Sequence, residues 1–181
     1  MKITIFKDIR STSTPFYRHI DVVLERIRNG SSRELIESIQ QEQDKSTRNE
    51  LKKSLPAICF SGIFTKRADN SITEHSGLIC LDFDGYANKQ EMMAQKRSIA
   101  SDEYVMSVFV SPSGDGLKVL VKIPQDIENH VRYFNALERH FNSKYFDTTS
   151  KNISRVCYES YDEEIYVDKE SKVWDQMHED E

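Results

Sequence analysis

The sequence predicts a mixed α+β domain, because stretches with helical spacing of apolar residues alternate with short apolar strands. The N-terminal third combines one strand with helices, and the central part contains two apolar strands joined by a glycine-rich loop. An amphipathic helix and further short strands follow. The 181 residues are enough for one domain with its own core.

The N-terminal third of the chain predicts one strand and two or three helices. Residues 2–6 alternate in polarity and predict a strand. Thr14 and Pro15 are typical of a helix N-cap and first helical residue. The helix predicted after them ends at Gly30 and is marked by Phe16, Ile20, Val23, Leu24 and Ile27. A second helix carries Leu35, Ile36 and Ile39, and the charged stretch before Pro56 continues or restarts it.

The rest of the chain predicts strands interrupted by two helices. Residues 57–60 predict a strand, and residues 77–85 predict a buried strand that runs into a turn. A helix with a weak pattern follows at 89–100, and then two strands with a glycine-rich loop between them lie within 104–123. The predicted helix at 126–143 presents an apolar face of Ile127, Val131, Phe134, Leu137 and Phe141. Short strands are predicted at 155–158 and 164–167.

Composition limits the class of protein. The chain is 38% hydrophobic and 30% charged, as in a folded water-soluble domain. It contains no apolar run that could cross a bilayer, and the charged N-terminus does not resemble a signal peptide. The three cysteines lie far apart in apolar stretches, which predicts buried, reduced thiols. We therefore expect a cytoplasmic protein that does not bind membranes.

Charge is distributed unevenly along the chain. The net charge is −5, but residues 159–181 alone hold ten acidic side chains and two lysines. Residues 1–158 therefore have 23 basic against 20 acidic side chains, a balance that permits nucleic-acid binding. We predict a folded domain over residues 1–167 and an acidic tail or linker over residues 168–181, which the fold should not need.

The first motif that suggests chemistry is a pair of aspartates. Asp82 and Asp84 end the buried strand at 77–85, and residues two apart on a strand point to the same face. Two neighbouring carboxylates repel each other, and a divalent cation such as Mg²⁺ or Mn²⁺ would relieve that repulsion. The alternative is an ordinary solvated turn, since Asp-Gly is common in turns.

The second motif is the glycine-rich loop that joins the two central strands. Its glycines would let backbone N–H groups approach an anion, and its hydroxyl groups and lysine would add donors. The candidate nucleotide-binding residues are Ser111, Ser113, Gly114, Gly116 and Lys118. A plain hairpin turn would explain the same pattern.

The third motif follows the amphipathic helix. Asp147 offers a further carboxylate, and Arg155 offers a cation that could meet a phosphate group. Taken singly, each is also compatible with a surface loop. Together, three carboxylates, an anion-binding loop and an arginine are what metal-assisted nucleotidyl transfer requires. We expect Asp147 to lie within about 10 Å of Asp82 and Asp84, because the ions in two-metal sites are ~3.5–4 Å apart.

At these residues the sequence resembles the VirE N-terminal-domain family of mobile elements, which is similar to the archaeo-eukaryotic primase superfamily. Asp82 and Asp84 match the first superfamily motif, residues 113–118 match the second, and Asp147 matches the third. LPAICFSGIF and SRVCYESYD also resemble the family. Lys118 stands where many superfamily members have histidine, and a lysine cannot reproduce the titration of histidine.

This resemblance implies a primase-like catalytic core, in which a sheet of RRM-like β-hairpins stands beside an N-terminal α/β unit. It implies a DNA primase or polymerase that uses Mg²⁺ or Mn²⁺, nucleoside triphosphates and a single-stranded DNA template. Asp82, Asp84 and Asp147 would be the catalytic and metal-binding residues. A helicase-type ATPase, in the same chain or a neighbouring one, is the implied partner.

Two other interpretations remain open. The same fold with an impaired site would be a module that binds nucleotides or nucleic acid without catalysis. A phosphatase of the haloacid dehalogenase type would also begin with an apolar strand and Asp-x-Asp-Gly, but it needs further residues on following parallel strands.

Overall fold

Sixteen short elements build the domain in the computed structural model, which describes residues 1–178. The strands are β1 (Lys2–Phe6), β2 (Phe16–His19), β3 (Ala57–Cys59), β4 (Gly62–Phe64), β5 (Ile72–His75), β6 (Leu78–Phe83), β7 (Val105–Val110), β8 (Leu117–Lys122), β9 (Cys157–Tyr158) and β10 (Tyr166–Val167). The helices are α1 (Ile20–Asn29), α2 (Arg33–Gln41), α3 (Lys45–Lys52), α4 (Lys89–Ala100) and α5 (His130–Phe141), with a 3₁₀ turn at Asp69–Ser71.

Two four-stranded antiparallel sheets form the framework. The first sheet has the order β2-β1-β3-β9, and the second has the order β10-β7-β8-β6. Strands β4 and β5 form a separate hairpin. Every strand pairing within the described residues is antiparallel. The predicted α+β class is therefore confirmed.

The strand β6 separates two parts of the core through its alternating side chains. On one face, Leu78 joins residues of the first sheet and of α1 in an apolar cluster. On the other face, Leu81 and Phe83 pack with residues of α4 and α5. Because both faces are covered, β6 reads as a nearly continuous apolar run until its polar C-terminal end.

The beginning of α1 differs from the prediction. Phe16 to His19 form β2, which pairs with β1, and His19 caps the helix by accepting a hydrogen bond from the backbone N–H of Asp21. Phe16 is exposed and does not belong to the buried helical face. The pairing with β1 satisfies backbone groups that an earlier helix start would have left at an open sheet edge. The predicted end of the helix at Gly30 is confirmed, with a φ of 80°.

Two further elements differ from the sequence prediction: one helix begins later than expected, and one hairpin was not predicted. Helix α5 begins at His130 instead of residue 126, and Ile127 is exposed, because the Asp126 carboxylate accepts a hydrogen bond from the backbone N–H of Asn129 and forms a turn there. The β4–β5 hairpin has no counterpart in the prediction, since its strands are only three and four residues long and carry a weak apolar pattern.

The C-terminal segment is not the separate tail that we expected. Within residues 168–178, the backbone N–H of Trp174 donates a hydrogen bond to the carbonyl of Lys122 at 2.8 Å. The Trp174 side chain is only 4% exposed and lies in the core beside Tyr104 and His140. A single large apolar side chain is enough to dock an otherwise polar segment. Residues 179–181 lie outside the described part of the chain.

Within the described residues, no helix combines the length and the apolar character that crossing a membrane would require. The three cysteines, Cys59, Cys80 and Cys157, are free thiols.

Candidate active site

Strand β6 and the two segments paired with it place predicted site residues on one face. The antiparallel register sets Asp82 of β6 opposite Lys118 of β8. On the other side of β6, an isolated bridge between Phe83 and Phe146 brings Asp147 next to Asp82, and the Asp147 backbone N–H donates to the Asp82 carbonyl at 2.8 Å. Residues opposite each other in antiparallel pairs share a face. Lys118, Asp82 and Asp147 therefore form a row.

The opposite face of the same backbone anchors this row in the core. Phe83, Leu117 and Phe146 alternate with the polar residues and are buried in one apolar cluster. The rings of Phe83 and Phe146 meet edge to face, with centroids 5.3 Å apart. The polar row is thus held on a rigid support and not on a loose loop.

Lys118 and Arg155 neutralise the buried carboxylate of Asp82. The side chain of Lys118 donates to Asp82 Oδ1 at 2.9 Å, and Arg155 approaches Asp82 Oδ2 at 3.6 Å. Arg155 also lies 4.0 Å from Asp147 Oδ2. Asp82 is only 5% exposed, so that an unpaired charge at this position would be costly. Arg155, with 45% of its side chain exposed against 18% for Lys118, is the more exposed of the two cations.

Asp84 differs from Asp82 in that its carboxylate has no cationic partner. It lies two residues beyond Asp82, on the same face, and makes no side-chain hydrogen bond or ion pair with any other described residue. Partial desolvation and the charges of Asp82, Asp147 and Asp115 raise the pKa of Asp84, although Lys118 opposes them. The Asp84 carboxylate therefore carries the uncompensated negative charge of the cluster.

The charges of Asp147 and Lys118 are both stabilised. Desolvation alone would raise the pKa of Asp147, but hydrogen bonds from the hydroxyl and backbone N–H of Thr149, together with Arg155 and Lys118, lower it. Burial likewise disfavours the ammonium form of Lys118. The ion pair with the Asp82 carboxylate opposes that effect, and the pKa of Lys118 is raised. Both groups are charged at neutral pH.

The glycine-rich loop has one end at this cluster. The Ser111 hydroxyl accepts a hydrogen bond from the Gly116 backbone N–H at 3.1 Å. A Cβ atom at Gly116 would lie 2.8 Å from Asp84 Oδ1 and 3.0 Å from the Phe83 carbonyl oxygen, so a larger residue there would crowd both atoms and displace the Asp84 carboxylate. Of the predicted nucleotide-binding residues, Ser111, Gly116 and Lys118 thus lie beside the aspartates.

The other end of the loop faces elsewhere. Ser113 and Gly114 line a cavity of about 440 Å³ between α2, α4 and residues 161–164. The aspartates of the cluster do not line this cavity, whose walls include Met92 and Met93. The Ser113 hydroxyl is buried without a hydrogen-bond partner among the described residues. The structure therefore divides the predicted nucleotide-binding loop between two surfaces.

Asp69 is a residue that the sequence did not single out. Its carboxylate Oδ1 accepts hydrogen bonds from the Ser154 backbone N–H at 3.1 Å and from the Ser154 hydroxyl, and it lies 3.5 Å from the side-chain nitrogen of Asn152. These contacts fix the loop immediately before Arg155. The separation of 85 residues between Asp69 and Ser154 left no local sequence signal for the contact.

The oxygen chemistry of the cluster suits a hard divalent cation. Asp84 is unpaired. Besides desolvation, the charges of the nearby Asp82 and Asp147 carboxylates raise the pKa of Asp84, so oxygens of the kind that Mg²⁺ and Mn²⁺ prefer share one site. Within residues 1–178, however, no group of three or more acidic, histidine or cysteine side chains is already arranged as a metal site. Asp82 faces Lys118 and Arg155 instead. The donor set fits a cation at Asp84 and Asp147 better than one at Asp82.

The fold and this row of charged residues define an α+β domain with an acidic, cation-balanced site. The chain belongs to the family described as BT4734-like, N-terminal domain, whose model matches residues 50–167. That segment contains every predicted site residue. The more specific VirE N-terminal-domain name is not confirmed.

The chain is also similar in fold to a solved structure. The AEP domain of the cyanophage S-2L primase-polymerase aligns with a TM-score of 0.48 and 12% identity, over 96% of this chain and 83% of that chain. A similarity of this size says nothing about activity. A search among curated proteins gave no match.

The strand order bears on the phosphatase alternative. A haloacid dehalogenase-type site needs residues on parallel strands that follow the Asp-x-Asp strand. The described neighbours of β6 are antiparallel, with β8 on one side and the bridge at Phe146 on the other. The structure therefore gives that alternative no support.

Proposed function

We propose that this domain binds a nucleoside triphosphate together with a divalent cation and transfers the nucleotidyl group to a growing DNA strand, as a primase or polymerase. The observation that carries the proposal is the row of Lys118, Asp82 and Asp147. Arg155 lies close to both aspartates of this row, and the unpaired Asp84 lies beside it. Three carboxylates and two cations on one rigid face are suited to a ligand that carries both phosphates and a metal ion.

Each residue has a distinct role in this proposal. Asp84 and Asp147 hold Mg²⁺ or Mn²⁺, and Asp82 lies next to them. The ion supplies charge neutralisation for the triphosphate and lowers the pKa of an attacking hydroxyl group. Arg155 contacts phosphate oxygens, because its long, half-exposed side chain can turn toward solvent. Ser111 and the backbone at Gly116 support the loop next to the phosphates.

The wider setting is also part of the proposal. A template-dependent transferase requires a single-stranded DNA template, and the mildly basic balance of residues 1–158 is compatible with one. We place the domain in a mobile-element replication protein, in the cytoplasm, where a helicase-type ATPase would supply single-stranded DNA.

Incorporation of labelled nucleotides tests this function. The assay uses primed and unprimed single-stranded DNA with Mg²⁺ or Mn²⁺, and compares the wild type with Asp84→Asn and Asp82→Asn. We expect both substitutions to abolish metal-dependent incorporation. Asp175→Asn is the matched control, because Asp175 is an exposed aspartate outside the cluster. Incorporation by the wild type that survives EDTA, or that persists in both cluster variants, would contradict the proposal.

One observation favours a second function, a binding module without catalysis. Both carboxylate oxygens of Asp82 already face cations, which is the arrangement of a self-neutralised site. Such a module would hold a nucleotide or DNA for a partner ATPase. Triphosphate or DNA binding without incorporation, in the presence of either metal, would identify it.

A further inference from the structure

We propose that Lys118 takes the place of one divalent cation, so that this site holds a single Mg²⁺ or Mn²⁺ ion at Asp84 and Asp147 instead of two. This inference rests on the proposed function and specifies its metal requirement. The juxtaposition that carries it is the Lys118 ammonium group at 2.9 Å from Asp82 Oδ1, on the strand directly opposite.

The backbone fixes the position of Lys118. Strand β8 is an inner strand, paired with β6 on one side and β7 on the other, and Lys118 lies opposite both Asp82 and Phe109. Its side chain is only 18% exposed. The strand cannot shift without breaking two ladders, so the backbone of Lys118 stays opposite Asp82, and the hydrogen bond to Asp82 Oδ1 holds the ammonium group there.

The charges of the cluster lead to the same conclusion. The three aspartates contribute three negative charges, and Lys118 and Arg155 contribute two positive charges, which leaves one net negative charge. One divalent ion changes this net charge from −1 to +1. A second ion would have to approach Asp82, where it would meet the ammonium group at close range and in a partly desolvated setting.

Arg155 does not block the remaining ion in the same way. Its nitrogen lies 3.6 Å from Asp82 and 4.0 Å from Asp147, both longer than the Lys118 contact, and 45% of its side chain is exposed. It can turn toward phosphate oxygens when an ion binds. Asp84, which has no partner among the described residues, remains available as the principal ligand.

Direct measurement of Mn²⁺ binding tests this inference without an activity assay. The electron paramagnetic resonance signal of free Mn²⁺ is followed during titration of the nucleotide-free protein. We expect one bound ion per wild-type chain. We expect Lys118→Met either to bind two ions or to bind a single ion at least about tenfold more tightly than the wild type does. Lys118→Arg keeps the charge and should bind one ion, like the wild type.

A matched control removes the same charge from the same strand. Lys122 lies four residues further along β8, where its ammonium group contacts the Lys169 and Ser171 carbonyl oxygens. Lys122→Met should leave Mn²⁺ binding unchanged, and thermal melting of each variant checks that it is folded.

The outcomes separate this inference from the proposed function. Two ions in the wild type, or unchanged binding in a folded Lys118→Met variant, would overturn the role of Lys118 and leave the metal-dependent function standing. If no protein in the series binds Mn²⁺, with or without a nucleoside triphosphate, both the inference and the proposed metal site fail.

Discussion

Asp84 shows how a functional residue can oppose stability. The folded state places its carboxylate near Asp82, Asp147 and Asp115, and this repulsion, with desolvation, raises the pKa of Asp84. Between the unfolded and folded pKa values the folded state binds more protons, so stability falls as pH rises through that window. At neutral pH, the ionised Asp84 therefore destabilises the metal-free domain.

Replacing Asp84 should consequently stabilise the protein. We expect Asp84→Asn to raise the Tm by about 1–4 °C at pH 7 in EDTA, since an exposed charge is worth at most ~1 kcal/mol. The gain should disappear below about pH 4, where the wild-type carboxyl is protonated. Melting curves at several pH values measure this, with Asp175→Asn as the neutral control. A lower Tm for Asp84→Asn at pH 7 would show that its carboxylate is compensated.

At the scale of single elements, the loop before Arg155 depends on a distant carboxylate. Asp69 lies in the 3₁₀ turn after β4 and binds the loop through Ser154 and Asn152. Without it, neither the strand β9 nor the helix α5 would fix where Arg155 emerges. Asp69 is thus a positioning residue for Arg155, the cation next to Asp82 and Asp147.

We expect Asp69→Ala to weaken triphosphate binding about tenfold, because Arg155 is displaced and one charged hydrogen bond is worth ~1.5–3 kcal/mol. Asp69→Asn, which keeps an acceptor oxygen, should restore most of the affinity. Asp8→Ala is a closely matched control, since Asp8 Oδ1 accepts similar hydrogen bonds from Arg10 and Ser11 in a loop without Arg155. Equal triphosphate affinities in the Asp69 and Asp8 variants would show that Asp69 does not position Arg155.

A buried histidine pair joins the end of β5 to the start of α5. The backbone N–H of Gly77 donates to His75 Nδ1 at 2.9 Å, so His75 carries its proton on Nε2 and donates it to His130 Nδ1 at 3.0 Å. Burial lowers the pKa of His75 to about 4. Burial, together with His75, lowers the pKa of His130 to about 3. Both rings are neutral in the folded domain.

This pair should make the fold acid-labile. Because both folded pKa values lie below the usual 6.5, the unfolded state binds more protons, and stability is lost as pH falls from about 6.5 toward 4. We expect the Tm to decrease by several degrees over that window, and the decrease to be smaller in His130→Gln. His19→Gln, which replaces an exposed histidine, should keep the wild-type pH dependence. A Tm that does not change over this window would contradict the proposed protonation states.

At the scale of the whole molecule, Trp174 attaches the C-terminal segment to the second sheet. Its indole N–H donates to the Gln176 carbonyl at 2.9 Å, and its ring lies 5.1 Å from that of Tyr104 and 4.7 Å from that of His140. The segment therefore contributes to the same core that supports Phe83 behind the site.

We expect Trp174→Ala to lower the free energy of unfolding by about 3–5 kcal/mol and the Tm by roughly 6–20 °C. Deletion of residues 168–181 should have at least the same effect. Val173→Ala is the control, because Val173 is 51% exposed and should change stability by less than about 0.5 kcal/mol. If Trp174→Ala melts like the wild type, the docked ring does not contribute to the fold.

The sequence by itself determined the α+β class, most helix and strand positions, and the pairing of Asp82 with Asp84 on one face. These features follow from local periodicity, which a short stretch of chain carries within itself. The sequence also pointed to Asp147 and Arg155 as further members of the site, although neither is local to the aspartate pair.

Only the tertiary structure decided how those residues meet. The register of β6 with β8 opposes Lys118 to Asp82, and the bridge at Phe146 brings Asp147 alongside. The hydrogen bonds to Asp69 and the burial of Trp174 likewise join residues that are far apart in sequence. Such contacts depend on strand register and core packing, which are properties of the whole chain, and no local pattern encodes them.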